Sequence, residues 1–123
     1  MIAALQCIVL DCPDPAGLAS FYQSVLGGSV DRPDPRWSTG DGWSTLHTGS
    51  GLVLAFQRAE NHRPPAWPDP TRPQQFHLDF GVPDLDRAEV EVLDAGAHLL
   101  DDSAQGWRVY ADPAGHPFCL VRH

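Results

Sequence analysis

Basic residues are scarce in this chain: Lys and Arg number 8 against 16 Asp and Glu, a formal net charge of −8. A nucleic-acid binder needs a concentrated basic face to neutralise backbone phosphates, and scattered cations on an acidic chain do not provide one. Nucleic acid is therefore not an expected partner. Long apolar runs are missing too, since nothing approaches the ~18 consecutive apolar residues of a membrane span. The opening "MIAALQCIVLDC" has no basic start and soon meets Asp11, which does not read as a secretory signal. The expectation is a cytoplasmic protein with no membrane partner. Cysteine is sparse as well. Cys7, Cys12 and Cys119 form neither a disulfide framework nor a CxxC motif, and reduced thiols are expected in that compartment. Cys12 reads as a small apolar packing residue.

What is present is a chain of 123 residues, 42% hydrophobic, enough for one soluble domain with a real core and too short for two. Its informative feature is an internal repeat. "LQCIVLDCPDPAGLASFYQSVLGG" and "QFHLDFGVPDLDRAEVEVLDAGAH" each read as a strand, a Pro-Asp pair, a helix and a small-residue stop. Asp14 and Asp84, 70 residues apart (84 − 14), are natural N-caps because a carboxylate oxygen accepts from the free N–H groups of a first turn. Pro15 strengthens the first start. Leu18, Phe21, Tyr22, Val25 and Leu26 follow the spacing of one helix face, and Gly27-Gly28 ends it. The second helix is weaker, with Leu85, Ala88, Val92 and Leu93 apolar and Gly96 near its end.

The hairpins repeat as well. "GWSTLHTGSGLVLAF" from Gly42 matches "GWRVYADPAGHPFCL" from Gly106, with Gly42-Trp43 and Gly51 each recurring 64 residues later (106 − 42 and 115 − 51). Short strands fit around 29–31 and 97–100. The fold expected is α+β, two βαβββ modules in one domain spanning 1–123. The first module covers about 1–58 and the second about 75–123. Between them, at about 59–74, prolines 64, 65, 68, 70 and 73 exclude regular helix and central strand. Trp67, its one large apolar group, fits either a strap filling a groove or a lid over a cavity.

"DCPDPAGLASFYQSVLGG", "QQFHLDFGVPDLDRAEVEVLDAGA" and "YADPAGHPFCLV" resemble segments of the glyoxalase/bleomycin-resistance/extradiol-dioxygenase group, the vicinal oxygen chelate superfamily. The chain looks most like its small glyoxalase-like domain proteins. The resemblance implies curled mixed sheets around a cleft and a homodimer. It leaves activity open among lyases, isomerases, epimerases, dioxygenases and binding proteins with no chemistry. It also implies where a metal would sit: ligands come from the first and fourth strands of each module, typically His, Glu, His, Glu. The matching positions here are Cys7, Ala55, His77 and Cys119. Both carboxylates have been replaced, so no resident metal or other cofactor is expected. Were zinc or iron bound, Cys7, His77 and Cys119 would be the donors.

Alternation along "QFHLDFG" puts Phe76, Leu78 and Phe80 on one face and His77, Asp79 and Gly81 on the other. By the same parity Cys7, Val9 and Asp11, then Val53, Ala55 and Gln57, then Cys119 and Val121 face the cleft. Candidate ligand contacts are Cys7, Asp11, Gln57, Trp67, His77, Asp79 and Cys119. His77 is the best candidate for a catalytic base, with Asp79 or Asp11 to orient it. Residues i and i+2 on a strand lie about 7 Å apart, so a direct His77–Asp79 hydrogen bond requires the side chains to lean together. Trp43 and Trp107 are expected as core or rim packing. Trp67, and less so Trp37, sit in irregular segments suited to ligand contact. Asp112 is expected to hold the turn "DPAGH" through its own side chain. His47, His62, His98, His116 and His123 read as surface residues.

The leading expectation is a metal-independent protein that binds or sequesters a small hydrophobic or aromatic molecule. Two alternatives stand beside it. One is a lyase, isomerase or dioxygenase of the same superfamily using His77, with or without metal. The other is a dimeric interaction domain with a vestigial cleft.

Overall fold

Both Pro-Asp pairs start helices. The computed structural model of the protein describes residues 1–37 and 40–123, and the chain divides into two units, Met1–His62 and Arg63–His123. In the first unit the order is β1 (Ile8–Cys12), α1 (Pro15–Leu26), β2 (Ser29–Val30), β3 (Trp43–His47) and β4 (Val53–Arg58). In the second it is β5 (Leu78–Val82), α2 (Leu85–Ala95), β6 (His98–Asp101), β7 (Trp107–Ala111) and β8 (Pro117–Arg122). The sheets are ordered β1-β4-β3-β2 and β5-β8-β7-β6, with the first and fourth strands of each unit parallel and the other pairs antiparallel. This is the α+β, twice-repeated βαβββ architecture expected from the repeat. Among the described residues no helix is long and apolar enough to cross a membrane.

In α1, Asp14 accepts from the Gly17 N–H at 3.1 Å, Pro15 opens the first turn, and the Gly27 N–H closes on the Gln23 carbonyl. Gly28 must be glycine twice over: its φ is +90°, and a Cβ would run into the His47 carbonyl oxygen. The helix buries Pro15, Leu18, Ala19, Phe21 and Tyr22. Tyr22 stacks on Phe56 at 5.8 Å, and Leu10, Leu46 and Leu54 complete that side of the sheet. Cys12 is fully buried, as a packing residue should be.

The second helix is capped in the same way, with Asp84 accepting from the Arg87 N–H and Gly96 ending it in the left-handed conformation. It buries only Leu85 and Val92, while Val90 and Leu93 point outward. Polar ties supplement this thin apolar contact. Arg108 on β7 donates to Asp86 at 2.6 Å and Glu89 at 3.1 Å, and the Tyr110 hydroxyl donates to Glu89 at 3.1 Å. Burial, reinforced by Glu89, pushes the Tyr110 phenol up to about 12, so it remains a donor. Tyr110 also stacks on Phe118 at 5.5 Å.

Residues between Arg58 and Leu78 form neither helix nor strand, as the prolines require. Within the second unit this strap is held by its own bonds: Ala66 N–H to Arg72 O at 2.7 Å, Arg72 Nη2 to Pro64 O at 2.8 Å, and Thr71 on Asp69. Gly115 has φ +92°, and a Cβ there would collide with Pro64.

Three sequence expectations need correction. The strand "QFHLDFG" begins at Leu78, leaving Phe76 54% exposed just outside it. Trp43 is half-buried but its repeat mate Trp107 is 52% exposed, so the pair does not share one packing role. His47 is buried, not at the surface; His62 and His116 are half-buried, while His98 and His123 are exposed.

Candidate functional site

Parallel pairing of β5 with β8 sets Asp79 directly beside Cys119. In-register residues on neighbouring strands present their side chains to the same face. His77 immediately precedes β5 and leans forward, so that its Nε2 lies 3.2 Å from Asp79 Oδ1. The gap left by the backbone spacing is closed by this lean. One ligand atom each from His77, Asp79 and Cys119 falls within 4.8 Å of the others. The His77 and Asp79 side chains are 41% and 60% exposed, and an exposed pair of this kind contributes little to stability. Its consequence is orientation: a carboxylate fixes the imidazole ring.

Cys119 is buried, and that burial, with the neighbouring Asp79 charge and a hydrogen bond to Asp79, pushes its thiol up to about 11. At neutral pH the sulfur is a protonated donor beside a carboxylate.

The repeat has no second copy of this cluster. The equivalents of His77 and Asp79 are Cys7 and Val9 (77 − 70, 79 − 70), and that of Cys119 is Ala55 (119 − 64). Val9 and Ala55 are paired in register on β1 and β4, and neither carries a donor. Cys7 is half-buried just before β1, and Asp11 and Gln57 are exposed partners in register. These belong to the first unit, whereas His77, Asp79, Cys119 and the half-buried Trp67 belong to the second.

The first unit contains a polar pair that sequence reasoning missed. Asp34 accepts from the Arg36 N–H, Nε and Nη2, and its Oδ2 lies 3.1 Å from His47 Nε2. The Arg36 hydrogen bonds, then His47, hold the Asp34 carboxyl well below the ordinary carboxylate value of 3.8. Because the folded value is depressed, the stabilisation is fully present above pH 3.8 and is lost as pH falls below it. An acid titration of Asp34→Asn, followed by circular dichroism, is therefore expected to show a shallower loss of stability below that pH than the parent chain. A parallel slope in the two proteins would remove Asp34 from the acid response.

Two βαβββ units with these strand orders define the fold of the vicinal oxygen chelate superfamily. The chain belongs to the glyoxalase-like domain family, whose model matches residues 7–121. Among solved structures it is similar to a glyoxalase/bleomycin resistance protein/dioxygenase family enzyme from Burkholderia phytofirmans PsJN. That likeness has 20% identity and a TM-score of 0.73, and covers 98% of each chain. It is also similar to the fosfomycin resistance protein FosX from Mesorhizobium loti, at 15% identity and TM-score 0.72, covering 100% of this chain and 94% of that one. A variant of FosX from Listeria monocytogenes, complexed with Mn(II) and 1S,2S-dihydroxypropylphosphonic acid, matches at 15% identity and TM-score 0.71, covering 99% and 93%. At these identities the likeness shows the fold alone. No curated protein matches the chain.

An imidazole, a carboxylate and a thiol make a donor set for a borderline-soft ion such as zinc, with a fourth position open. Manganese, which prefers oxygen donors, fits it less well. Cys7 is not among these three, so this cluster differs from the Cys7, His77 and Cys119 set inferred from the family pattern.

Proposed function

We propose that the chain binds a small organic molecule without a resident metal, using His77, Asp79 and Cys119 as the polar contacts of the second module. One observation carries this reading: the three groups already engage one another. His77 Nε2 is on Asp79, and the Cys119 thiol keeps its proton beside the same carboxylate. A metal would have to displace that His77–Asp79 contact and strip a thiol held at about 11. A ligand with a carbonyl or hydroxyl meets no such cost. The apolar remainder of the second module's strand faces suits a hydrophobic or aromatic compound, with Trp67 as an aromatic contact. A cytoplasmic homodimer belongs to the same reading, and sedimentation at micromolar concentration would test the dimer.

The second reading is a metal-dependent or His77-based lyase, isomerase or dioxygenase. The spacing of the three ligand atoms, within 4.8 Å, supports it. In that case His77, Asp79 and Cys119 would hold the ion, which would supply Lewis-acid chemistry at an open position.

Elemental analysis of untagged protein purified without chelator, beside His77→Ala, separates the two. Less than about a tenth of an equivalent of zinc, iron or manganese is expected, with aromatic compounds quenching tryptophan fluorescence in the parent and more weakly in the variant. About one equivalent of metal, lost in the variant, would establish the second reading instead.

A further inference from the structure

Buried polar atoms without partners are rare in folded proteins and call for an explanation. The first module holds two on one strand: His47 Nδ1 and Trp43 Nε1 have no hydrogen-bond partner among the described residues. Trp43, Thr45 and His47 alternate with Ser44 and Leu46, so both orphans belong to the same face of β3. The His47 side chain is only 2% exposed.

The chemistry of the His47 orphan is set by its other nitrogen. Asp34 is ionised and accepts, so Nε2 carries a proton; in the neutral imidazole Nδ1 is then a bare lone pair. It wants a donor. Asp34 is already neutralised by the Arg36 fork, so the donor need not be a cation. Trp37 stands edge-on to the His47 ring with centroids 6.0 Å apart, and the Arg36 guanidinium lies 4.3 Å from the Trp37 ring centroid. Trp37 comes from an irregular segment and fills an aromatic slot against the imidazole without satisfying its lone pair.

We propose that His47 anchors a second ligand site, in the first module. There a flat aromatic molecule bearing a hydroxyl or amino group takes the place of the Trp37 indole and donates to His47 Nδ1. The site goes beyond the reading above and uses none of its second-module residues. Trp43 stands four rises, roughly 13 Å of backbone, along the strand, and its Nε1 would serve a carbonyl or other acceptor of a longer ligand.

Phenol and anisole are the probes, since they share a ring and only phenol donates. Both would be titrated into the full ¹⁵N-labelled chain while the histidine ring nitrogens are followed by NMR. His47 is expected as the Nε2–H tautomer, its Nδ1 signal shifting with phenol and not with anisole, and phenol binding about tenfold tighter. Trp37→Ala, which vacates the slot, is expected to tighten phenol binding by about tenfold. Because His47 is buried, its removal risks the fold; Asp34→Asn is the safer variant. Where the new amide turns its NH₂ toward His47, giving up the Arg36 Nη2 bond to the Oδ2 position, the ring proton moves to Nδ1, which the same NMR spectra read. The preference for phenol should then vanish. Equal affinity for the two probes, no binding of either, a His47 proton already on Nδ1 in the parent, or a preference that survives in Asp34→Asn once its His47 proton is seen on Nδ1 would each overturn the proposal. Phenol shifting only the His77 ring nitrogens would overturn it too, while leaving ligand binding by the second module intact.

Discussion

Asp112→Ala is expected to lower the unfolding free energy by about 2–4 kcal/mol, the largest effect of any single carboxylate substitution in the second module. Asp112 is 1% exposed, and its Oδ1 accepts from the Ala114 N–H at 2.8 Å and the His116 N–H at 3.0 Å. Its backbone closes the same turn, with Asp112 N–H to His116 O at 2.9 Å and Gly115 N–H to Asp112 O at 2.8 Å. Alanine would remove the oxygen that accepts from both N–H donors, and the loss of a buried donor's partner costs about 1–3 kcal/mol. The turn joins β7 to β8, and β8 carries Cys119 beside Asp79, so its loss also disturbs the site. Urea titration should show the midpoint falling with an unchanged slope, and a thermal scan a drop of about 10 °C. Asp112→Asn keeps an oxygen at the Oδ1 position that accepts from both N–H groups, and should lose much less than alanine. An alanine variant within 0.5 kcal/mol of the parent would mean that water reaches those N–H groups.

This turn was legible in the sequence because its cause is local. "DPAGH" places an acidic side chain, a proline and a glycine at fixed offsets, and the same is true of the Asp14 and Asp84 caps. The repeat then made the topology readable, since a second copy of each signal confirms the first. That His77, Asp79 and Cys119 share one face of the sheet was legible by strand parity. Their convergence was not, because parity assigns a face and not the lean of a side chain. The His47–Asp34 pair was half legible. His47 pairs with Val53, a residue whose inward face was recognised, so hairpin register already opposed a surface position. Asp34, however, reaches His47 from an irregular segment through a turn built on Arg36, and no periodicity encodes such an approach. The start of β5 was misplaced for a related reason: alternation continues through Phe76 and His77, but ladder pairing begins only at Leu78.

Duplication also explains why the polar site is one-sided. Equivalent backbone positions in the two modules carry Cys7, Val9 and Ala55 in one and His77, Asp79 and Cys119 in the other. Strand geometry keeps such positions adjacent whatever occupies them. A change of side chain therefore alters the chemistry of one module without altering its fold. Val9 and Ala55 sit where a carboxylate and a thiol sit in the second copy.

The Cys119 thiol offers the most direct test of that chemistry. At pH 8 an ordinary cysteine is about one quarter ionised, whereas a thiol held at about 11 is ionised to about one part in a thousand. The greater intrinsic nucleophilicity of a more basic thiolate recovers about tenfold of that deficit. Reaction of Cys119 with an aromatic disulfide should thus be about 20-fold slower than that of free cysteine before burial slows it further. Its rate should climb as pH rises from 8 toward 10, because each step upward releases more thiolate. Asp79→Asn removes the carboxylate charge that, after burial, opposes ionisation, so the variant should react severalfold faster at pH 8. Peptide mapping of Cys119 apart from Cys7 and Cys12 reads both effects. A metal-bound sulfur behaves differently, since a coordinating thiol is deprotonated outright. Its reactivity would be nearly flat with pH and would jump on adding chelator. A steep profile supports the metal-free reading of the His77, Asp79 and Cys119 cluster; a flat, chelator-sensitive one replaces it with the metal reading.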